Sequence, residues 1–372
     1  MQLFLSLLAY FPLLLPFLYI SSVFNPYEAP KFYAFIISMI PLSIWYWYVS
    51  RKKLPSVSLF GWVVLLFLGI LLVADIFGLD PRTSLLGNTY RMQGFVLWFF
   101  SVVLFFLVYL LPTEHKEKLY KMTSSIATVT GFVLCAITLV QAFLLFVLHD
   151  STIPHYQGRI VATLGNPNFL GGYLTMLLPF IILSIWKKNI WIKLFVTVMF
   201  GLSVFLTDSR SAVLATLVTM GIFGIQSLSK RKQVAIYGIL GFISIMSLYV
   251  FSNSRANHRF SMWDNREIIW TEGIKAMSAS PILGYGQDNY ELIFPKDRFM
   301  KVDNAHNIFL EIGVGSGIVG LVIFGVILYL GFMRSELAVR LVLIAFIINA
   351  STNPVSVVQI ILLWFLLGFL RH

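Results

Sequence analysis

Long stretches of this chain run without a lysine, arginine, aspartate or glutamate, among them Leu3 to Ile20, Phe32 to Ser50, Val57 to Ala74, Gly94 to Leu111, Met122 to His149, Phe169 to Trp186, Ser211 to Ser229 and Val234 to Ser252. As helices, segments of that length cross a hydrocarbon layer of roughly 30 Å. They are continuously apolar and lack the alternation of barrel strands. With 58% hydrophobic and only 12% charged residues over 372 positions, the chain reads as an all-α membrane protein, a single polytopic domain over residues 1–372. Cys135, the one cysteine, falls within a span, so no disulfide framework exists. The first segment lacks a basic leader and a small-residue cleavage site, and reads as an uncleaved helix kinked at Pro12 and Pro16.

A net charge of +11 would suit nucleic acid in a soluble protein. Here basic loops hold the cytoplasmic side of a membrane protein, and no nucleic-acid partner is expected. With the N-terminus inside, Arg51, Lys52, Lys53, Lys116, Lys118, Lys121, Lys187, Lys188, Lys193, Lys230, Arg231, Lys232, Arg334, Arg340 and Arg371 share one side, 15 of the 27 basic residues. Of the 16 acids, only Glu114, Glu117 and Glu336 join them, so that side is cytoplasmic. Further spans run from Trp191 to Leu206 and from Asn307 to Phe332. The charge-free tail Leu341 to Leu370 is broken by Asn349 to Pro354, a turn signal that splits it into two short helices. The sum is about twelve helices with both termini inside; a single kinked final helix would make eleven.

The outer side then holds Phe77 to Gln93, Asp150 to Asn168, the tight turn Thr207 to Ser211, and one longer loop, residues 253–305. Such a connection is long enough to carry its own elements. Within it, Asp264 to Met277 suits a short helix capped by Asp264 or Asn265, with Pro281 beyond its end and Gly284 and Gly286 in the return.

The outer side is rich in arginine, whose planar guanidinium makes bidentate, charge-assisted bonds to phosphate worth roughly 1.5–3 kcal/mol each. Arg210 stands in a turn between two apolar spans, where an unpaired cation is costly; an internal pair with Asp208 or snorkelling to head groups are the plain alternatives. Interfacial anchoring is the plain reading of Arg82 and Arg91, and a solvated helix face that of Arg266. His306 follows Asn304 and Ala305 at the mouth of an apolar, glycine-dotted segment. It begins a helix with Asp303 or Asn304 as cap, and a helix N-terminus keeps an imidazole neutral, able to take a proton from a hydroxyl. A capping or interfacial histidine is the alternative, and the ordinary reading for His115, His149, His155, His258 and His372. The run Gly315 to Gly320 matches a dinucleotide-binding fingerprint, but no strand precedes it and it lies within a span. Gly313 to Gly317 instead reads as a small-residue face for close helix packing. Gly165-Asn166-Pro167-Asn168 reads as a turn and helix cap.

Four stretches in this order resemble the O-antigen ligase and polymerase superfamily of membrane glycosyltransferases: Gly158-Arg159 through Asn168, Ser209-Arg210-Ser211, Arg266 through Pro281 to Gly286, and His306-Asn307 with Gly317 and Gly320. The similarity spans roughly residues 82–332. It implies a GT-C-like membrane enzyme of the inner (plasma) membrane. Its donor is a glycan on undecaprenyl diphosphate, joined on the extracytoplasmic side to a hydroxyl of a glycolipid, glycan or protein. On that likeness Arg210 and Arg266 clamp the diphosphate and Arg159 assists. Arg82, Arg91 and Asn307 complete the substrate-binding set. His306 activates the acceptor or orients the diphosphate. The implied reaction inverts the anomeric centre. No acidic cluster calls for a metal or other cofactor, Asp208 and Glu267 being the nearest candidates. Ligase, polymerase and protein O-glycosylating readings share this chemistry. A transporter of lipid-linked sugars is the reading from another class, and it fits less well: no internal repeat is visible, and the polar groups crowd one face rather than the midplane.

Overall fold

The computed structural model describes residues 1–49, 57–150, 152–185, 189–226, 261–295 and 302–370. Helices follow the apolar runs: α1 Gln2–Leu14, α2 Glu28–Val49, α3 Leu59–Ile76, α5 Phe95–Tyr109, α6 Thr113–Ala142, α7 Pro167–Ile185, α8 Ile190–Leu206, α9 Arg210–Gln226, α12 Ile308–Arg334, α13 Leu337–Ala350 and α14 Val357–Leu367. Between them lie α4 Pro81–Leu86, a two-residue-per-strand hairpin of β1 His155–Tyr156 and β2 Arg159–Ile160, α10 Ser261–Ala279 and α11 Tyr290–Ile293. Among the described residues four helices are long and apolar enough to cross a membrane, and six more are apolar but shorter. The expected span Val234 to Ser252, the expected cytoplasmic residues Arg51, Lys52, Lys53, Lys187, Lys188, Lys230, Arg231, Lys232 and Arg371, and His258 and His372 lie outside the described residues.

The tail divides into two helices, as its polar tract implies. α14 is apolar apart from Gln359 and its eleven residues are all buried, as expected for a helix enclosed by its neighbours rather than bordering lipid. It packs on α5, α1, α2 and α7, while α7 packs against α6, α9 and α13.

Different polar contacts tie the two ends of the bundle. At one, Lys118 donates to Gln2 (2.6 Å), Lys116 to the Leu370 carbonyl (3.3 Å), and Tyr46 to the Leu110 carbonyl (3.3 Å). At the other, Lys31 donates to the Thr163 carbonyl (2.9 Å), Gln93 to the Val355 carbonyl (2.6 Å), and the Val357 amide to Glu28 (2.7 Å). Glu28 and a capping box of Ser356 and Gln359 together satisfy the start of α14. This second end gathers every described arginine of the sequence-derived site except Arg82 into one network, set out below.

α12 is not one continuous helix. Ser316 and Gly317 leave helical geometry, with Gly317 at φ 69°. The break is filled from outside: Tyr285 and Gly286 donate to the carbonyls of Val314 and Gly315 (both 2.9 Å), and the Ile318 amide donates to Pro281 (2.8 Å). Backbone groups freed inside an apolar bundle must find partners, and the loop 281–286 supplies them. The small residues expected to pack helix on helix therefore admit a loop. A Cβ on Gly317 would meet the Ile282 carbonyl oxygen at 2.3 Å, in a backbone conformation that glycine alone adopts freely. Gly317→Ala is expected to destabilise the protein by about 2–4 kcal/mol. Gly325→Ala, whose Cβ would meet nothing within 4 Å, should be neutral within about 0.5 kcal/mol. Unfolding of the two variants in detergent checks this, and equal stability would refute it.

Candidate functional site

The chain just beyond the loop that fills the α12 break is tied to the end of α3 and to the segment before α5. Asp75, at the end of α3, accepts the Gln287 amide (2.6 Å), and Leu79 donates to the Tyr285 carbonyl (3.0 Å). Asp288 accepts the Asn88 amide (2.6 Å), the Asn88 side chain (2.9 Å) and the Gln93 amide (3.1 Å). Burial pushes its pKa up to about 7 against those bonds. Asn88 in turn accepts the Arg91 amide (2.8 Å), which fixes where Arg91 leaves the backbone.

Arg91 makes a two-pronged bond to Asp303 (2.8 and 3.1 Å) and lies 5.6 Å from the centre of the Phe169 ring. Burial opposes its charge, but the Asp303 carboxylate overrides that and holds its pKa above the usual arginine value. Burial likewise works against ionised Asp303, and Arg91 overrides it, so Asp303 stays below the usual carboxylate range. Arg91 is thus an anchor for the chain just before His306 rather than a side chain standing open in solvent.

His306 sits in a turn, not at a helix start as the sequence suggests. Its φ is 53°, its amide donates to Asn304 (2.7 Å), and buried Glu311 accepts the Ala305 amide (2.7 Å). The helix begins at Ile308, and its cap is Asn307, whose side-chain oxygen accepts from Phe309 (3.0 Å) and Leu310 (3.3 Å). Asp303 and Asn304, the expected caps, hold Arg91 and the His306 amide instead. The Asn307 oxygen, expected to face substrate, is engaged in capping because two α12 amides would otherwise lack acceptors. The neutrality of His306 also has a different cause from the expected helix end. Burial comes first, then the positive charges of Arg91 and Arg266, with Asp303 pulling the other way; the pKa falls to about 4.

Arg266 lies in the first half of α10 and donates to the Asn353 side-chain oxygen (3.1 Å). Burial and then the neighbouring charge of Arg210 push its pKa down. The Asn353 amide nitrogen donates to the hydroxyls of Ser209 (3.3 Å) and Ser211, the two residues flanking Arg210. Asn353 therefore ties the helix bearing Arg266 to the turn bearing Arg210. On the far side of that turn, Arg159 donates to the carbonyls of Thr207 (3.1 and 2.9 Å) and Asp208 (3.0 Å) and to Asn168 (3.0 Å). Its distance to the Asp208 carboxylate is 4.0 Å. These bonds hold Asp208 at φ 52°, a conformation that aspartate adopts at modest cost. The Asp208 carboxylate thus faces Arg159.

Of the residues picked from sequence, Arg91, Arg159, Arg210, Arg266, His306 and Asn307 meet at one end of the bundle. Arg82 stays out of this network among the described residues. It is exposed on α4, where its backbone amide donates to Asp80 (3.0 Å). Sequence reasoning missed Asn353 and Asp303 as members. The first belongs to a tract that reads as a plain turn, although six polar or small residues in a charge-free tail are themselves a signal. The second reads only as a helix cap.

Asn353→Ala is expected to cost about 1–3 kcal/mol of stability, because buried hydroxyls and a guanidinium each lose a partner. Unfolding in detergent checks this, and unchanged stability would remove Asn353 from the network.

No curated protein matches the chain. A family model described as O-Antigen ligase matches residues 195–325, which include Arg210, Arg266, His306 and Asn307 but not Arg82, Arg91, Arg159 or Asn353. Over that stretch the chain is similar to the O-antigen ligase family.

Proposed function

We propose that this protein is a polytopic glycosyltransferase of about twelve helices in the inner (plasma) membrane. It transfers a glycan from undecaprenyl diphosphate to an acceptor hydroxyl on the extracytoplasmic side. The observation that carries the reading is the position of Arg266, which feels the charge of Arg210 and whose own charge is felt by His306. Two neighbouring guanidinium groups, one of them acting on a neutral imidazole, suit a reaction in which a diphosphate leaves as a proton is removed. The membrane orientation rests on the basic residues at the opposite end, such as Lys116, Lys118, Arg334 and Arg340.

In this mechanism Arg210 and Arg266 bind the diphosphate and stabilise the charge that builds on its leaving oxygen. The acceptor oxygen attacks the anomeric carbon from the face opposite the diphosphate. The carbon–oxygen bond to phosphate breaks with its electron pair, the configuration inverts, and His306 takes the acceptor proton. The bound diphosphate offsets the arginine charges that depress the His306 pKa, so the imidazole becomes a stronger base when donor is present. Arg91, through Asp303, and Arg159, through residues 207 and 208, hold these groups in place. The guanidinium groups neutralise the leaving group, so the mechanism assigns no step to a metal.

Reconstitution of the purified protein with a lipid-linked glycan and candidate acceptors tests the reading. One joined unit is expected; a ladder of products would make the enzyme a polymerase, and no transfer to any glycolipid, glycan or protein acceptor would overturn the proposal.

A further inference from the structure

The opposite end of the bundle carries a cavity of about 630 Å³ that the transfer chemistry does not use. One face of α6 forms a wall with Lys116, Glu117, Tyr120 and Lys121, at spacings that bring them to the same side of a helix. The α12–α13 junction adds Glu336, and Leu183 and Phe369 contribute apolar surface. Lys116 is fixed there: it is buried, donates to the Leu370 carbonyl (3.3 Å), and lies 4.9 Å from the centre of the Tyr109 ring.

We propose that this cavity binds one phospholipid with a zwitterionic phosphoethanolamine head group. Two ammonium and two carboxylate groups surround a single space, so the site presents both signs of charge and no net excess. A phosphate set against Lys116 and Lys121 leaves Glu117 and Glu336 to meet a cation on the same molecule. A primary ammonium donates hydrogen bonds to carboxylates, which a quaternary choline cannot do. A head group carrying only negative charge would leave two carboxylates facing it. The acyl chains run against Leu183 and Phe369. The cavity lies where the ends of α6, α13 and α14 meet, the level at which lipid head groups border a bundle.

Native mass spectrometry of the full-length protein, delipidated and then given equal amounts of phosphatidylethanolamine, phosphatidylcholine or phosphatidylglycerol, tests this. One phosphatidylethanolamine is expected to stay bound at collision energies that strip the other two. Glu117→Gln combined with Lys121→Gln, both on exposed positions, should lower that occupancy by about tenfold while the fold persists. Equal retention of phosphatidylglycerol would overturn the proposal. So would equal retention by the double variant, which marks general surface lipid, or failure to retain any lipid. The readout does not depend on glycan transfer, so it stands apart from the fate of the proposed activity.

Discussion

Arg266→Ala is expected to lower kcat/KM for transfer from a lipid-linked glycan by about 10³-fold, with the protein still inserted and abundant. The loss has two sources. One guanidinium directed at a developing oxyanion is worth about 10²–10³-fold. The bond from Arg266 to Asn353 also disappears, and with it the tie to Ser209 and Ser211 on either side of Arg210. Arg266→Lys should recover little, because an ammonium cannot keep the side-on bond to Asn353 and reach a phosphate at once. Arg210→Ala should show a comparable loss. Transfer within threefold of wild type by either alanine variant would contradict the assigned roles.

His306→Ala is the second large effect, expected to cut kcat by about 10²–10⁴-fold, the usual contribution of a placed base. The pH profile separates this from a positioning role. In the free enzyme His306 has a pKa near 4, so it is unprotonated at every pH well above 4. Its contribution to kcat/KM is present there and is lost only as pH falls toward 4. An ordinary histidine would lose it below about 6.5. Bound donor raises the pKa by offsetting the charges of Arg91 and Arg266, so the acid limb of kcat should lie at higher pH than that of kcat/KM. Asp303→Asn removes a negative charge that favours the protonated ring and should move the kcat/KM limb lower still. A kcat/KM limb near 6.5 would contradict the neutral, buried histidine described here.

Most of the helices were legible because charge-free runs admit few alternatives in an apolar bundle. The break in α12 was not, although Gly317 was visible. Whether a glycine marks packing or a break depends on what fills the gap, and the filler, residues 281–286, is set by pairing distant in sequence. The clustering of Arg210, Arg266 and His306 agrees with the one outer side that the charge pattern implies for all three. The roles of Arg91 and Arg159 were not, since free and tied arginines look alike in sequence. Their ties are a carboxylate 212 residues away for Arg91 and backbone carbonyls 48 and 49 residues away for Arg159. Asn353 was missed for the same reason: a buried amide gains meaning only from the serines and arginine it joins.

Binding of undecaprenyl diphosphate to wild type, Arg210→Ala, Arg266→Ala and the double variant tests most directly whether these cations act on one ligand. Each single substitution should weaken binding by tenfold or more, wild-type affinity should fall with added salt, and the double loss should be less than the product of the single losses. Affinity left unchanged by both single substitutions would show that the two guanidinium groups do not hold the diphosphate.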